Sequence, residues 1–359
     1  MILNMIEILS YRNYSHTINK FSPYFNIFTG PNGAGKTNLL EAIYLLSTGE
    51  VRRGKKDTEA IKWNESFTWV RGEVSYEDGR TLKLVTQIKP EGKDFSINGK
   101  ITTLRQYLGT FSVVSIFGDN EDVITGDPEK RREFLDRFII SIEPSYYFLI
   151  NRYRNVLVRR NKLLKEEKTD KRLIDTLTEL LLKYGEEIIR VRDKSISVYN
   201  RYLREECEKV RLFVEIDIPD LYGSIEEKVS LYRERFNASR KKEEIIGTTL
   251  VGPHRDEIVI KMNGKDSRSF ASNGETRMIV ILLKLAQWEL IRSLKKYKPV
   301  FIVDEFLSRL DENNMNLIMK IIEEKSPQVF ASEITDVPIG KMGIIFSIDK
   351  GKVVYEKTF

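Results

Sequence analysis

Hydrophobic and polar positions follow one rhythm at the two ends of this chain and another in its middle. From Met1 to about Phe117 the pattern is that of strands broken by turns. Tyr24 to Phe28 is an apolar run of buried-strand length, and Thr81 to Ile88 alternates and is rich in β-branched residues. Asn98-Gly99 marks a hairpin turn, and Phe111 to Phe117 is a second short apolar run. After Pro128 the period becomes helical and heavily charged, from Glu129 to about Val210, with Pro144 placed to open a helix. Apolar positions at Leu177, Leu181, Tyr184, Ile188, Val191, Val198 and Tyr202 alternate four and three apart, with Ser195 as the one break. A preceding helix carrying Tyr153, Val156, Leu157, Leu163 and Leu164 is the natural partner. The stripe suits a short coiled coil and a globular helical bundle equally. From Ile245 strands return: Ile258 to Met262 before the turn Asn263-Gly264, then Val300 to Val303, Gln328 to Ala331, Gly343 to Ile348 and Lys352 to Tyr355.

The pattern predicts an α/β fold, a core of mixed sheets and helices interrupted by a helical insertion with a short antiparallel helix pair. The expected parts are residues 1–120 as the first portion of the core, 121–245 as the insertion and 246–359 as the returning core. No internal repeat or low-complexity segment is present. With 359 residues, 41% of them hydrophobic, the chain can bury a core. No apolar run approaches the ~20 residues that span a bilayer, and the N-terminus, with Glu7 in a strand pattern, does not read as a signal peptide. Cys207 is the only cysteine, so no disulfide framework forms within one chain, and a cytoplasmic location is expected. A net charge of +6 favours a polyanionic partner.

The candidate chemistry begins at Gly30-Pro31-Asn32-Gly33-Ala34-Gly35-Lys36-Thr37, a complete G-x-x-x-x-G-K-T loop. It follows a predicted strand and precedes a predicted helix from Asn38 to Leu46, the context that a phosphate-binding loop requires. Glycines let backbone N–H groups curl around an anion, and the helix N-terminus adds its positive end. Lys36 is expected to reach the β- and γ-phosphates of ATP, and the Thr37 hydroxyl to sit on Mg²⁺.

Val300-Phe301-Ile302-Val303 ends in Asp304 and Glu305. A buried central strand would deliver both carboxylates to the C-terminal edge of a parallel sheet, where open α/β folds keep their ligands. Asp304 would hold Mg²⁺ through water, and Glu305 would take a proton from the water attacking the γ-phosphate. Ser272 reads as an N-cap ahead of an apolar helix from Arg277 to Leu294, and Gly274 leaves backbone exposed at that helix N-terminus. An ordinary cap is the plain alternative. Ser272-x-Gly274 followed by Glu275, about thirty residues before the acidic strand, is similar to the signature of ABC-type ATPases. That resemblance implies that Ser272 and the helix dipole contact the γ-phosphate bound by the opposite subunit. It also places Asp311, in Ser308-Arg309-Leu310-Asp311, in the superfamily's D-loop.

Nearly end to end, the chain resembles the RecF family, bacterial recombination mediators on the SMC-like branch of the ABC superfamily. The carrying stretches are Arg12-Asn13-Tyr14, Gly35 to Ala42, Gly126-Asp127-Pro128 with Arg131-Arg132 and Phe134-Leu135-Asp136, and Arg159-Arg160-Asn161 with Leu163-Leu164. Val251-Gly252-Pro253-His254-Arg255-Asp256 is the most family-specific block, and Leu310-Asp311 completes the set. The resemblance implies ATP-dependent homodimers, binding to duplex DNA near single-strand gaps, and work with RecO and RecR in helping RecA to load. Arg12 and Asn13 are expected at the nucleotide; Arg53, close to the loop in sequence, and Arg159 and Arg160, on a basic helix with Arg152, Arg154 and Lys162, are the candidates for DNA, with plain solvated surface charge as the alternative. His254 is equally suited to a core or turn position without a chemical task.

The chain departs from the family pattern at several points. Glu275 stands where glutamine is usual, Glu305 where Asp is usual, and Val51-Arg52-Arg53 replaces Ser-Phe-Arg. Phe117-Gly118-Asp119-Asn120-Glu121-Asp122 is irregular against Phe-x-Pro-Glu-Asp. The switch-loop histidine is absent, and Ser332 or Glu333 occupies that region. Glu305 restores the ABC-type base, so hydrolysis is expected to survive. The rival readings are an SMC-like structural organiser of DNA, disfavoured by the short insertion, and an ATP-binding switch that acts mainly through protein partners. A transporter ATPase fits least, because the signature lies late in the chain and the charge is basic.

Overall fold

A computed structural model describes residues 1–166, 171–219, 223–305, 310–325, 327–332 and 342–358. Ser308, Arg309 and Glu333 lie outside the described residues. The chain divides into two compact units, Met1–Asn120 with Trp288–Phe359, and Glu121–Gln287. The first unit opens with β1 (Ile2–Tyr11), β2 (Tyr14–Lys20), β3 (Phe25–Thr29), helix α1 (Lys36–Thr48), β4 (Thr68–Ser75), β5 (Thr81–Lys89), β6 (Gly92–Ile97), β7 (Lys100–Thr102) and β8 (Val113–Ile116). The second holds α2 (Pro128–Ile142), α3 (Ser145–Leu163), α4 (Lys171–Val210), β9 (Val214–Asp217), α5 (Ile225–Ile246), β10 (Val259–Met262) and β11 (Lys265–Asp266). The division falls inside α6 (Asn273–Lys295), after which the first unit resumes with β12 (Val300–Val303), α7 (Glu312–Lys325), β13 (Val329–Ser332), β14 (Gly343–Asp349) and β15 (Lys352–Thr358).

The first unit contains two six-stranded sheets. One is antiparallel, in the order β2-β1-β4-β5-β6-β7, and the other runs β15-β14-β3-β13-β12-β8. In the second sheet β14, β3, β13, β12 and β8 are parallel, and only β15 is antiparallel to its neighbour. All four residues of β12 and of β13 are buried, and so are the first four of β3, as expected of strands covered on both faces. Phe21, Phe28, Phe330 and Phe346 cluster at the sheet; Phe21 meets Phe330 edge-on at a centroid distance of 4.7 Å, a contact worth about 0.5–1.5 kcal/mol beyond area burial. The buried Gln328 amide joins the sheets. It accepts the Leu3 N–H at 2.8 Å and donates to the carbonyls of Leu3 at 2.9 Å and Ser22 at 2.8 Å.

In the second unit α3 and α4 form the expected helix pair, but the buried face of α4 differs from the apolar stripe. It runs through Leu181, Gly185, Ile188, Arg192, Ser195, Tyr199 and Leu203, while Tyr184, Val191, Val198 and Tyr202 are only partly covered. That face follows the ordinary helical period and includes a fully enclosed arginine, so α4 belongs to a globular bundle rather than a coiled coil. Residues 246–287, assigned above to the returning core, group with this helical unit instead. Within it β10 pairs antiparallel with β9, and Asn263 (φ 50°) and Gly264 (φ 79°) turn the chain into β11.

Arginines knit this unit together. Arg192 donates to Tyr146 Oη at 3.1 Å, Pro253 O at 2.9 Å, Asp136 Oδ1 at 2.9 Å and Asp256 Oδ2 at 2.8 Å. Arg131 reaches the carbonyls of Gly126 and Ile258 and the Glu257 carboxylate, and Arg132 the Asp256 carbonyl. The segment from Pro253 to Ile258 is thus held from α2 and α4. His254 is part of that knot: Tyr153 Oη donates to its Nδ1 at 2.7 Å, and its Nε2 faces the Thr249 carbonyl at 3.4 Å.

Arg160, expected at DNA, is instead a core residue. It is 1% exposed, donates to Thr178 Oγ1 at 2.9 Å and Thr249 Oγ1 at 2.7 Å, and pairs with the buried Glu243 at 2.8 Å. The physical reason is its register on α3: Arg160 falls on the packed face with Tyr153, whereas Arg159 points to solvent.

Two outcomes follow for stability. Arg160→Ala strands the Glu243 carboxylate and should cost about 3–5 kcal/mol in urea unfolding, whereas Arg159→Ala should stay within about 0.5 kcal/mol of wild type. Burial holds the His254 imidazole down at about 4 from its usual 6.5, with the Thr249 carbonyl opposing. The unfolded chain therefore binds a proton that the folded one refuses between pH 6.5 and 4. That stabilisation is complete above the upper value and is lost as pH falls through the window. Urea midpoints across that range should decline less steeply for His254→Asn, by on the order of 1–3 kcal/mol in total.

Candidate nucleotide-binding site

The site in the first unit is built where β3 stops. After Thr29 the chain passes through Gly30 (φ 138°), Gly33 (φ 78°) and Gly35 (φ 120°) directly into α1. A Cβ on Gly30 would lie 2.2 Å from the Ile348 carbonyl oxygen, and one on Gly35 would lie 2.8 Å from Asn13 Nδ2, so both positions exclude a side chain. Beside Gly33 there is open space, with nothing within 4 Å of a built Cβ. The N-terminus of α1 has no side-chain cap and no acid in its first turn, which leaves its N–H groups and dipole for an external anion. Lys36 Nζ folds back onto the carbonyls of Gly30 at 2.8 Å and Pro31 at 3.3 Å. These features fit a phosphate chain.

The turn between β1 and β2 braces the loop. Asn13 Nδ2 donates to Ala34 O at 2.9 Å, Asn38 Nδ2 donates to Asn13 Oδ1 at 2.8 Å, and Tyr14 Oη donates to Gly35 O at 3.0 Å. Arg12, at φ 51° in the same turn, donates to the carbonyls of Glu59, at 2.9 Å, and Arg53. On α1 the fully buried Glu41 carboxylate gathers three arginines, with Arg53 Nε at 2.5 Å, Arg52 Nη1 at 3.6 Å and Arg12 Nε at 4.0 Å. Arg53 also donates to Asn38 Oδ1 at 3.1 Å and remains half exposed. Arg52 stacks on Phe117 at 3.8 Å and pairs with Asp119, which gives the irregular Phe117–Asp122 stretch a structural task. Glu41 was not picked out from the sequence as a site residue, although it lies in a stretch that carries the family resemblance; a buried acid one turn into a phosphate-loop helix is the signal.

Across the sheet, β12 delivers Asp304. Its Oδ1 accepts the Thr37 hydroxyl at 3.2 Å and the Ser332 hydroxyl at 2.7 Å. Glu305 follows with φ 53°, a left-handed conformation costing roughly 1–2 kcal/mol for a residue with a Cβ. Among the described residues no group of three or more His, Cys, Asp or Glu side chains forms a metal cage. One hydroxyl and one carboxylate still suit Mg²⁺, which keeps several waters and leans on substrate phosphates.

Asp311 accepts from the Asn314 N–H at 3.0 Å and its side-chain amide at 2.6 Å at the start of α7, and these bonds hold its carboxyl below the usual range. In the second unit Ser272 and Glu275 form a capping box: the Ser272 N–H donates to Glu275 Oε2 at 2.9 Å, and the Glu275 N–H to Ser272 Oγ at 3.3 Å. Gly274 beside them is exposed, and a built Cβ there meets nothing within 4 Å.

The family description "RecF/RecN/SMC N terminal domain" matches residues 2–352. The Smc head domain of Pyrococcus furiosus superposes with a TM-score of 0.56 at 18% identity, over all of this chain and 96% of that one. Fold and loop therefore define a member of the SMC-like class of ABC-type ATPase folds. Within it, the DNA replication and repair protein RecF of Natranaerobius thermophilus is 32% identical over 99% of this chain and 98% of its own length. The same-named protein of Bacillus cereus is 31% identical over 90% of each. A solved structure of the recombination mediator protein RecF-ATPrS in the RecFOR pathway covers 98% of this chain and 97% of its own at 30% identity and a TM-score of 0.88. The chain belongs to the RecF family.

The loop geometry carries a direct expectation. Lys36→Ala removes the ammonium group that lies along the loop, and should weaken ATP binding at least ten-fold in equilibrium titration, the loss of about 1.5–3 kcal/mol from one charge-assisted bond.

Proposed function

We propose that this protein is an ATP-dependent recombination mediator. It binds ATP with Mg²⁺, dimerises on it, hydrolyses it slowly, binds duplex DNA near single-strand gaps, and works with RecO and RecR in helping RecA to load during repair and replication. The observation that carries the reading is the Thr37–Asp304 hydrogen bond, which unites a phosphate loop and an acidic strand in one site. RecF structures determined with ATP and with ATPrS, at 29% and 30% identity over nearly the whole chain, support the nucleotide.

In this reading the loop N–H groups and Lys36 bind the β- and γ-phosphates, and Thr37 and Asp304 hold Mg²⁺, which supplies charge neutralisation when bound. Glu305 accepts the proton of the attacking water. Arg12 and Asn13 border the nucleotide. Gly274 has no steric reason inside its own chain to be glycine, which suits a surface approached closely by the phosphate of another copy. One loop and one signature per chain make half of each composite site, so two chains about a two-fold axis complete two, with Ser272, Gly274 and Asp311 facing the partner's nucleotide.

DNA contact is assigned to Arg53 and Arg159; Arg160 is withdrawn because it is enclosed. Arg152 and Lys162, also exposed on α3, extend the Arg159 face. Such contacts are to phosphate, so binding should be sequence-tolerant and salt-dependent, about 0.9 in log–log slope per phosphate neutralised.

The test uses Glu305→Gln, which should bind ATP and barely hydrolyse it. In sedimentation it should be monomeric without nucleotide and dimeric with saturating ATP-Mg²⁺, and adding Ser272→Arg should abolish the dimer. Duplex affinity at fixed salt should rise at least ten-fold with ATP by avidity. Equal affinity with ATP, ADP and no nucleotide would sink the clamp, leaving a switch that acts through protein partners.

A further inference from the structure

We infer that Ser332 is the positioning residue of the acidic pair, tying the Asp304 carboxylate to the Glu305 main chain through one hydroxyl. The inference rests on the ATPase reading above and adds a residue to its site. Ser332 ends β13, which lies between β3 and β12 in the sheet. Val303 and Ala331 are paired neighbours in the parallel ladder, so Asp304 and Ser332 are the next residues along their two strands. Ser332 is 2% exposed. Its Oγ–H donates to Asp304 Oδ1 at 2.7 Å while its oxygen accepts the Glu305 N–H at 3.0 Å.

A hydroxyl has one proton and two lone pairs, so Ser332 can serve both groups at once. Each needs it. Asp304 is buried and its carboxylate must be fixed in direction to serve a metal. Glu305 sits at φ 53°, a conformation that persists only where surrounding bonds hold it. Thr37 bonds the same Asp304 oxygen, but in the ATPase reading Thr37 also serves Mg²⁺. A partner that orients a metal-binding carboxylate typically controls metal affinity or activity by 10–100-fold.

The experiment compares wild type, Ser332→Ala, Ser332→Thr and Ser332→Val. Thr keeps the hydroxyl, and Val has the shape of Thr without it. Binding of a fluorescent ATP analogue is titrated at rising Mg²⁺, single-turnover hydrolysis is timed, and the melting temperature of the nucleotide-free protein is recorded as a folding control. Ala and Val should raise the Mg²⁺ half-saturation about ten-fold and slow hydrolysis ~10–100-fold. Their affinity for the analogue without Mg²⁺ should stay within about two-fold of wild type, and Thr should restore both readings. An unchanged Mg²⁺ half-saturation in Ala and Val, or a Thr variant as impaired as Val, overturns the assignment. Wild-type protein that binds no ATP-Mg²⁺ in the same titration refutes the ATPase reading itself, whereas normal wild-type binding with an indifferent Ala variant refutes only the role of Ser332.

Discussion

The hydrogen bond from Thr37 to Asp304 joins residues 267 apart in sequence, and the arrangement of the first unit serves to make it possible. Thr37 stands at the start of α1, just after β3, and Asp304 at the end of β12, with β13 between those strands. Parallel pairing puts the C-terminal ends of all three at one edge, with neighbouring strands about 4.8 Å apart. The phosphate loop, Ser332 and the acidic pair then arrive together without any of them reaching far. Parallel strands need crossover connections, so the intervening chain has to leave the sheet and come back. The whole helical unit is one such excursion.

Buried charge is handled in the same way throughout. Glu41 has no access to water and draws Arg12, Arg52 and Arg53 towards α1, so the wall of the site is set by one carboxylate. In the second unit Arg192 meets Asp136 and Asp256, and Arg160 meets Glu243. An enclosed ion without a partner is expensive, and a pair without further hydrogen bonds is little better. Here each arginine has both, which makes the Gly252–Asp256 block a structural joint. His254, between Tyr153 and Thr249, belongs to that joint.

The residues legible in sequence were those whose chemistry is local. The phosphate loop needs glycines at fixed offsets from a strand and a helix, and those offsets survive any tertiary context. The acidic strand, four apolar residues before two carboxylates, is a common pattern alone and takes its meaning from the phosphate loop in the same chain. The Ser272–Glu275 cap is equally local. The apolar stripe of α4 was less informative, because spacings of 3.5 and 3.6 diverge slowly and the bundle's true face includes Arg192 and Ser195.

What the chain alone indicated, therefore, was the α/β class and the long helical excursion, with the loop and the acidic pair as candidates for the site. Only the tertiary structure decided which polar side chains are enclosed. Arg159 and Arg160 are adjacent and chemically identical, yet one faces water and the other pairs with Glu243, more than eighty residues away. The same holds for Ser332, whose partners Asp304 and Glu305 lie at the end of a neighbouring strand, and for Glu41, which draws Arg12 from the turn between β1 and β2. A helix places successive residues about 100° apart, and which of them meets an opposite charge depends on elements the local sequence does not contain.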